Sequence, residues 1–149
     1  MTAIAQEWLA AEPLLIDRVK AQVTGLRAVY SASEITTLTA QQDPRAAATP
    51  AAHVMYGGDQ VVDVTDNGEL QTVDQLWCVA IVARNDRGPA ALRAEVSPLL
   101  IQTIKAISGW ECGIAGMRAF RRARLAWPPR FTTSGTAIYP LLFAARVFA

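Results

Sequence analysis

The run Leu76-Trp-Cys-Val-Ala-Ile-Val82 is apolar at every position. Successive residues of a strand point to opposite faces, so this stretch has no face to offer to water. It is expected to lie centrally in a sheet, under a helix. A period of two extends around it from Ala51 to Arg84. Ala52–Tyr56 reads as one strand, Val61–Val64 as a second and Leu70–Arg84 as a long third. Gly57-Gly58-Asp59 is expected to turn the chain, because glycine reaches positive φ at little cost. Asp66-Asn67-Gly68 is a strong hairpin signal.

Helical spacing brackets this region. Ile4, Trp8, Ala11, Leu15 and Val19 recur at intervals of three and four. Pro13 suits a first turn better than a helix interior. The reading is therefore a short leading turn and a main helix over Pro13–Val23, ended by Gly25. Arg27–Ser31 reads as a short strand, Ser33–Leu38 as a short helix capped by Ser33, and 41–50 as a loop. Arg84-Asn-Asp-Arg-Gly-Pro89 signals a second main helix, with Asn85 or Asp86 as cap. It should run to about Ser108, kink at Pro98 and stop at Gly109. Its buried stripe should be Leu92, Val96, Leu99, Leu100, Thr103, Ile104 and Ile107. Met117–Trp127 and Ile138–Phe148 read as strands separated by Pro128-Pro129.

The expected order is thus α-β-(short α)-β-β-β-α-β-β. That is an α+β fold, a mainly antiparallel β-sheet with two main α-helices packed on one face. At 149 residues the chain is expected to form a single domain over 1–149.

Several functions drop out on composition. With 52% hydrophobic and 18% charged residues the chain is globular, and its low charge hints at surface hidden against other chains. A net charge of +1 removes any whole-chain attraction to nucleic acid or acidic membranes. No apolar run reaches the ~18 residues of a membrane span. The opening Met1-Thr-Ala-Ile-Ala-Gln-Glu-Trp8 lacks the basic and apolar regions of a secretory signal. Cys78 and Cys112 form no CxxC, so both are expected reduced, in a reducing cytosol, with Cys78 as buried filler.

The chemistry-bearing residues also read as structural. A single histidine, His53, excludes HExxH and multi-histidine zinc sites; at a strand start it should pack or pair. No serine lies in GxSxG, and Ser134 reads as a loop serine. Gly57-Gly58 is not followed by a helix N-terminus and carries no phosphate-loop pattern. Asp59, Asp63, Asp66, Glu69 and Asp74 are too dispersed for a calcium loop. No nucleophile, base and orienting group can be assembled, so neither an enzyme nor a metal or cofactor is expected.

Three stretches carry a family resemblance: Pro50-Ala-Ala-His-Val-Met-Tyr-Gly-Gly58, Asp74-Gln-Leu-Trp-Cys-Val-Ala-Ile-Val-Ala-Arg-Asn85, and the Leu92 to Gly109-Trp110 helix. With Trp8-Leu-Ala-Ala-Glu-Pro-Leu-Leu-Ile16 and the closing Tyr139–Phe148 strand, the chain resembles the tail terminator-like proteins of tailed bacteriophages along nearly its whole length. The resemblance implies an α+β sheet with two helices and purely structural work. Such proteins form a ring, commonly a hexamer, on the end of the tail tube. The ring stops tube growth and presents the surface that docks to the head. Implied partners are the chain itself, the tail tube protein and a head-tail connector or neck protein. No membrane is implied, and nucleic acid only as DNA passing through the ring lumen. The implied location is the head-proximal end of the virion tail, with host cytoplasm during assembly. The family carries no catalytic residues to transfer.

Charge is strongly segregated along the chain. All six charged residues after Glu111 are arginines, giving 112–149 a charge of +6. Residues 1–111 hold eight cations and thirteen acids, a charge of −5. Three readings compete for Arg118, Arg121, Arg122, Arg124 and Arg130. They could solvate a sheet edge. They could form a nucleic-acid-binding strand over Arg118–Arg124, with Phe120 as a stacking ring. Or they could meet the acids Asp59, Asp63, Asp66, Glu69 and Asp74 of a neighbouring subunit. A head-to-tail contact of that third kind, repeated with a closing rotation, makes a ring. Arginine suits such contacts because its guanidinium pairs carboxylates in a bidentate way. Another ring-forming neck or tail-tube protein fits the same pattern.

Overall fold

The computed structural model describes residues 3–31, 48–84, 86–124, 128–132 and 135–149. Its elements are α1 (Ala11–Gln22), β1 (Ala28–Ser31), β2 (Ala51–Val64), β3 (Gln71–Arg84), α2 (Pro89–Ile107), β4 (Met117–Arg122), β5 (Arg130–Phe131) and β6 (Thr136–Phe148). The sheet runs in the order β1-β2-β3-β6-β4, with β5 also paired to β6. Among the described strands β1 and β2 pair in parallel and the others antiparallel, with one isolated parallel bridge between Ala3 and Ala115. This is the expected α+β class.

The Leu76–Val82 run does occupy the centre. β3 pairs with β2 on one side and with β6 on the other along nearly its full length. Its odd positions, Val73, Trp77, Val79, Ile81 and Ala83, join Phe143, Ala145 and Val147 of β6 in one core. α1 adds Ala11, Leu15 and Val19, and α2 adds Leu92, Val96, Leu99 and Ile107. The helical stripes read from spacing are thus the buried ones, with Trp8, Leu100 and Ile104 packed at the margin. The opposite sheet face is also dry at its centre, where the small residues Ala51, Cys78, Ala80 and Ala144 are buried beside His53 and Leu142. No helix of the described residues is long and apolar enough to cross a membrane.

Proline falls where the helices can take it. Pro13 sits in the first turn of α1, where the orphan N–H groups lack partners anyway. Pro98 lies inside α2, which continues through it. Both Pro98 and Ala94, whose carbonyl loses its donor, face solvent.

Four local expectations change. Gly57-Gly58-Asp59 is no turn: β2 runs unbroken from Ala51 to Val64, with a register irregularity between Tyr56 and Asp59. Gly58 has φ +91°, so the glycines serve a bulge rather than a reversal. The two short strands read from sequence are therefore one. Asp86 does not cap α2; it pairs with Arg84 at 3.5 Å, and Gly88 holds the cap position at φ +94°. Arg130–Phe131 forms an extra two-residue strand, held to Ile138 and Ala137. The short helix over Ser33–Leu38, the 41–47 part of the loop, Asn85, Ser134 and the Leu125–Trp127 end of the Met117 strand lie outside the described residues.

Candidate assembly surface

The strand order gives the charge segregation a spatial meaning. Asp59 and Asp63 stand on β2, and Asp66 and Glu69 on the turn that follows it. Arg118, Arg121 and Arg122 stand on β4, with Arg124 just beyond, at the other end of the strand order. β3 and β6 lie between the two groups. One sheet thus carries an acidic side and a basic side. Arg130 sits on β5, also beside β6. Except for Asp74, these candidate residues are exposed.

The β2–β3 hairpin is firmly built. Thr65 N–H donates to the Leu70 carbonyl at 3.0 Å, and Gly68 N–H to the Thr65 carbonyl at 2.8 Å. Thr65 Oγ1 also accepts from Leu70 N–H, while Asn67 Nδ2 donates to Glu69 Oε2 at 2.8 Å. Gly68 takes φ +73°, which the turn requires. Among the described residues no strand pairs with the outer side of Met55–Val64, since β1 covers only Ala51–Val54. β4 is different. Phe120 exchanges hydrogen bonds with the chain after α2, its N–H to Trp110 O at 3.0 Å and its carbonyl from Gly109 N–H at 2.7 Å. The basic side therefore offers guanidinium groups more than free backbone.

Not all the candidates are free to face outward. Asp74 is shielded and held within the chain. Arg146, directly opposite on β6, donates Nε to Oδ1 at 2.6 Å and Nη2 to Oδ2 at 3.1 Å. Arg121 reaches across β6 to Oδ2 at 2.8 Å. The Arg146 hydrogen bond, with Arg121 adding to it against partial burial, holds the Asp74 carboxyl below its usual value. So Asp74 and Arg121, both candidates for contact between subunits, meet each other inside one subunit. Asp59 accepts a hydrogen bond from Tyr56 Oη at 2.8 Å, and Tyr56 accepts from Trp8 Nε1 at 3.0 Å. Burial comes first among the causes that raise the Tyr56 hydroxyl, with Asp59 adding to it. Arg118 lies over the Phe148 ring and Arg122 over Phe143. Arg124 and Arg130 are exposed past these contacts.

Three sequence readings gain definite geometry. Phe120 is 1% exposed and stacks on Trp110, so it has no face for a nucleic-acid base. His53 packs against Tyr30 with ring centres 5.1 Å apart. Cys78 and Cys112 are both free thiols, and burial pushes Cys78 up to about 11. Sequence reasoning missed the apolar part of the surface. Val61, Val62, Val64, Leu70 and Phe148 are exposed together at the hairpin end. The signal was present in Val61-Val-Asp-Val64, which places valines on both faces of a strand at the sheet margin.

Among the described residues the chain is a six-stranded sheet under two helices, with its charged and exposed apolar groups along the sheet margins. A chain in the "Virion of native gene transfer agent (GTA) particle" has the same fold, with a TM-score of 0.51, 18% identity, and coverage of 99% of this chain and 92% of that one. At that identity the likeness is one of fold. The family comes from the sequence: the profile of the phage tail terminator protein family matches residues 5–149. This chain belongs to that family, and is a structural protein of a phage tail. No curated protein matches it.

Proposed function

We propose that this chain, acting as one domain, is a tail terminator that forms a ring, a hexamer, on the end of the tail tube. The ring stops tube growth and presents the surface to which the head or its connector docks. It encloses a lumen through which DNA passes, at the head-proximal end of the tail, and it assembles in the host cytoplasm. One observation carries the reading. Acids and arginines stand at opposite ends of a single sheet, so that copies related by rotation bring unlike charges together. The exposed charges outside the internal ion pairs, and so left for that contact, are Asp63, Asp66 and Glu69 on one side and Arg118, Arg122, Arg124 and Arg130 on the other. The internal pair Asp74–Arg121 is assigned to holding β4 against the sheet instead.

The test is native mass spectrometry with electron microscopy of tail tubes incubated with the protein. Closed rings, free or capping the tubes, and weakening as salt rises, are expected. Reversal of Arg122 and Arg124 to glutamate should abolish them while the monomer stays folded. Intact rings from that variant would sink the charged interface. Retention on single-stranded DNA with a steep salt dependence would favour nucleic-acid binding instead.

A further inference from the structure

We infer that the apolar β2–β3 hairpin of one copy seats in an apolar cleft on the helix-free sheet face of the next. The inference rests on the ring reading above and names the surfaces that close it. Eight large hydrophobic side chains stand exposed among the described residues, and five of them gather at the hairpin end. Leu70 is 65% and Val61 59% exposed. Edge strands left open to water ordinarily carry charge or proline, because bare apolar edges invite pairing. Here the acids Asp63, Asp66 and Glu69 flank the valines without replacing them. Apolar side chains gathered on both faces of one projecting hairpin mark a contact surface.

The same chain carries a matching receptor. On the sheet face away from the helices lies a cleft of about 300 Å³, lined by Met55, Cys78, Ala80, Ile138 and Pro140 and closed at one rim by Pro128 and Arg130. Its walls are apolar, and its floor is built from small residues that leave room for an incoming aliphatic side chain. Arg130 supplies a cation where the acidic hairpin would arrive.

A hairpin cannot fill the cleft of its own chain. Val62 and Met55 are seven residues apart on the same continuous strand, which is roughly 23 Å at about 3.3 Å per residue. The occupant is therefore a second copy. Hairpin and cleft are different surfaces, so the contact is heterologous and leaves each bound copy with one free hairpin or one free cleft. Such a contact propagates until the rotation closes it.

The experiment uses two variants of the full chain. One carries Val62→Asp and Leu70→Asp on the exposed hairpin. The other carries Ile138→Lys in the cleft, with Arg130→Glu as an exposed alternative on its rim should Ile138→Lys impair folding. Native mass spectrometry is run on each and on their equimolar mixture, beside the wild type. Each variant alone should be monomeric. The mixture should give a one-to-one heterodimer and nothing larger, because only one intact hairpin and one intact cleft remain to meet. Wild-type rings with both variants assembling as well as the wild type would overturn this inference and leave the ring standing. A wild type that never assembles, alone or on tail tubes, would overturn the ring reading and this inference with it.

Discussion

The two ends of β3 belong to one strand and have opposite fates. From Trp77 to Ala83 it lies between β2 and β6 with the helices over one face, and its odd-numbered side chains are shut off from water. Beside Gln71–Val73, the β2 residues Val61, Asp63 and Val64 pair with β3 around one irregularity at Val62, yet all four are exposed. Both regions are paired into the sheet, and what separates them most is the cover. The centre holds the monomer together. The hairpin end keeps apolar surface that the monomer does not use. That separates stability from assembly, and substitutions in the two regions should separate them too.

The widest gap is expected at Trp77. Its ring is fully buried, and its Nε1 donates to Gln75 Oε1 at 2.8 Å. Trp77→Ala leaves a large cavity and should cost about 3–5 kcal/mol of folding stability, read by urea unfolding. Assembly should be lost only because the monomer is. A loss under 1 kcal/mol would mean that the centre of the sheet is not the source of stability.

Gly116 and Gly58 sharpen the contrast with a smaller effect. Both have positive φ. A Cβ at Gly116 would stand 2.9 Å from the Phe148 carbonyl oxygen and 3.0 Å from Ile4, whereas nothing lies within 4 Å at Gly58. Gly116→Ala should therefore cost about 1–3 kcal/mol, through strain and displaced backbone together. Gly58→Ala carries the backbone strain alone and should cost about 1 kcal/mol. Equal melting temperatures for the two variants would show that crowding at Gly116 is relieved elsewhere.

The two glycines also mark how far a sequence reaches. The Leu76–Val82 run announced the central strand because apolarity on both faces permits little else. The spacing of Leu92, Val96, Leu99 and Ile107 gave the buried side of α2 for the same local reason. Gly57-Gly58 misled because positive φ serves a bulge as well as a turn, and only the pairing with β3 decides which. β5 is too short to carry a pattern. The charge segregation was plain, but its placement on opposite sides of one sheet depends on β6 inserting beside β3. The Asp74–Arg121 pair, joined across 47 residues, could not be told from a contact between subunits without that order.

Asp74 gives the next smaller effect. Asp74→Asn removes the charge that Arg146 and Arg121 share near the surface, and should cost about 1 kcal/mol at neutral pH after allowance for solvent screening. The sign of its pH dependence follows from the direction of the shift. The folded carboxyl is held below its ordinary value of 3.8, chiefly by the Arg146 hydrogen bond, so the unfolded chain takes up the proton first as pH falls. The advantage of wild type over Asp74→Asn should be complete above about pH 5. It should shrink below the ordinary value and vanish once the pH passes under the lowered folded one. A difference that stays constant from pH 7 to pH 2 would deny Asp74 its ionic role.

The smallest change in stability belongs to the hairpin, and it discriminates best between the two regions. Val62 is the extra residue of the register irregularity between Val61 and Asp63, and its side chain is half exposed with no part in the core. Val62→Thr keeps β-branching and should shift unfolding by no more than about 0.5 kcal/mol. If the hairpin's apolar surface exists for a neighbouring copy, the same substitution should raise the protein concentration needed for rings by about tenfold or more, as loss of a buried aliphatic contact at an interface would. Sedimentation across a dilution series reads that shift, and urea unfolding of the same sample reads stability. Assembly weakened with stability intact is the result expected of a surface reserved for contact. Stability weakened with assembly intact would place Val62 in the fold and reverse the contrast between the two ends of the strand.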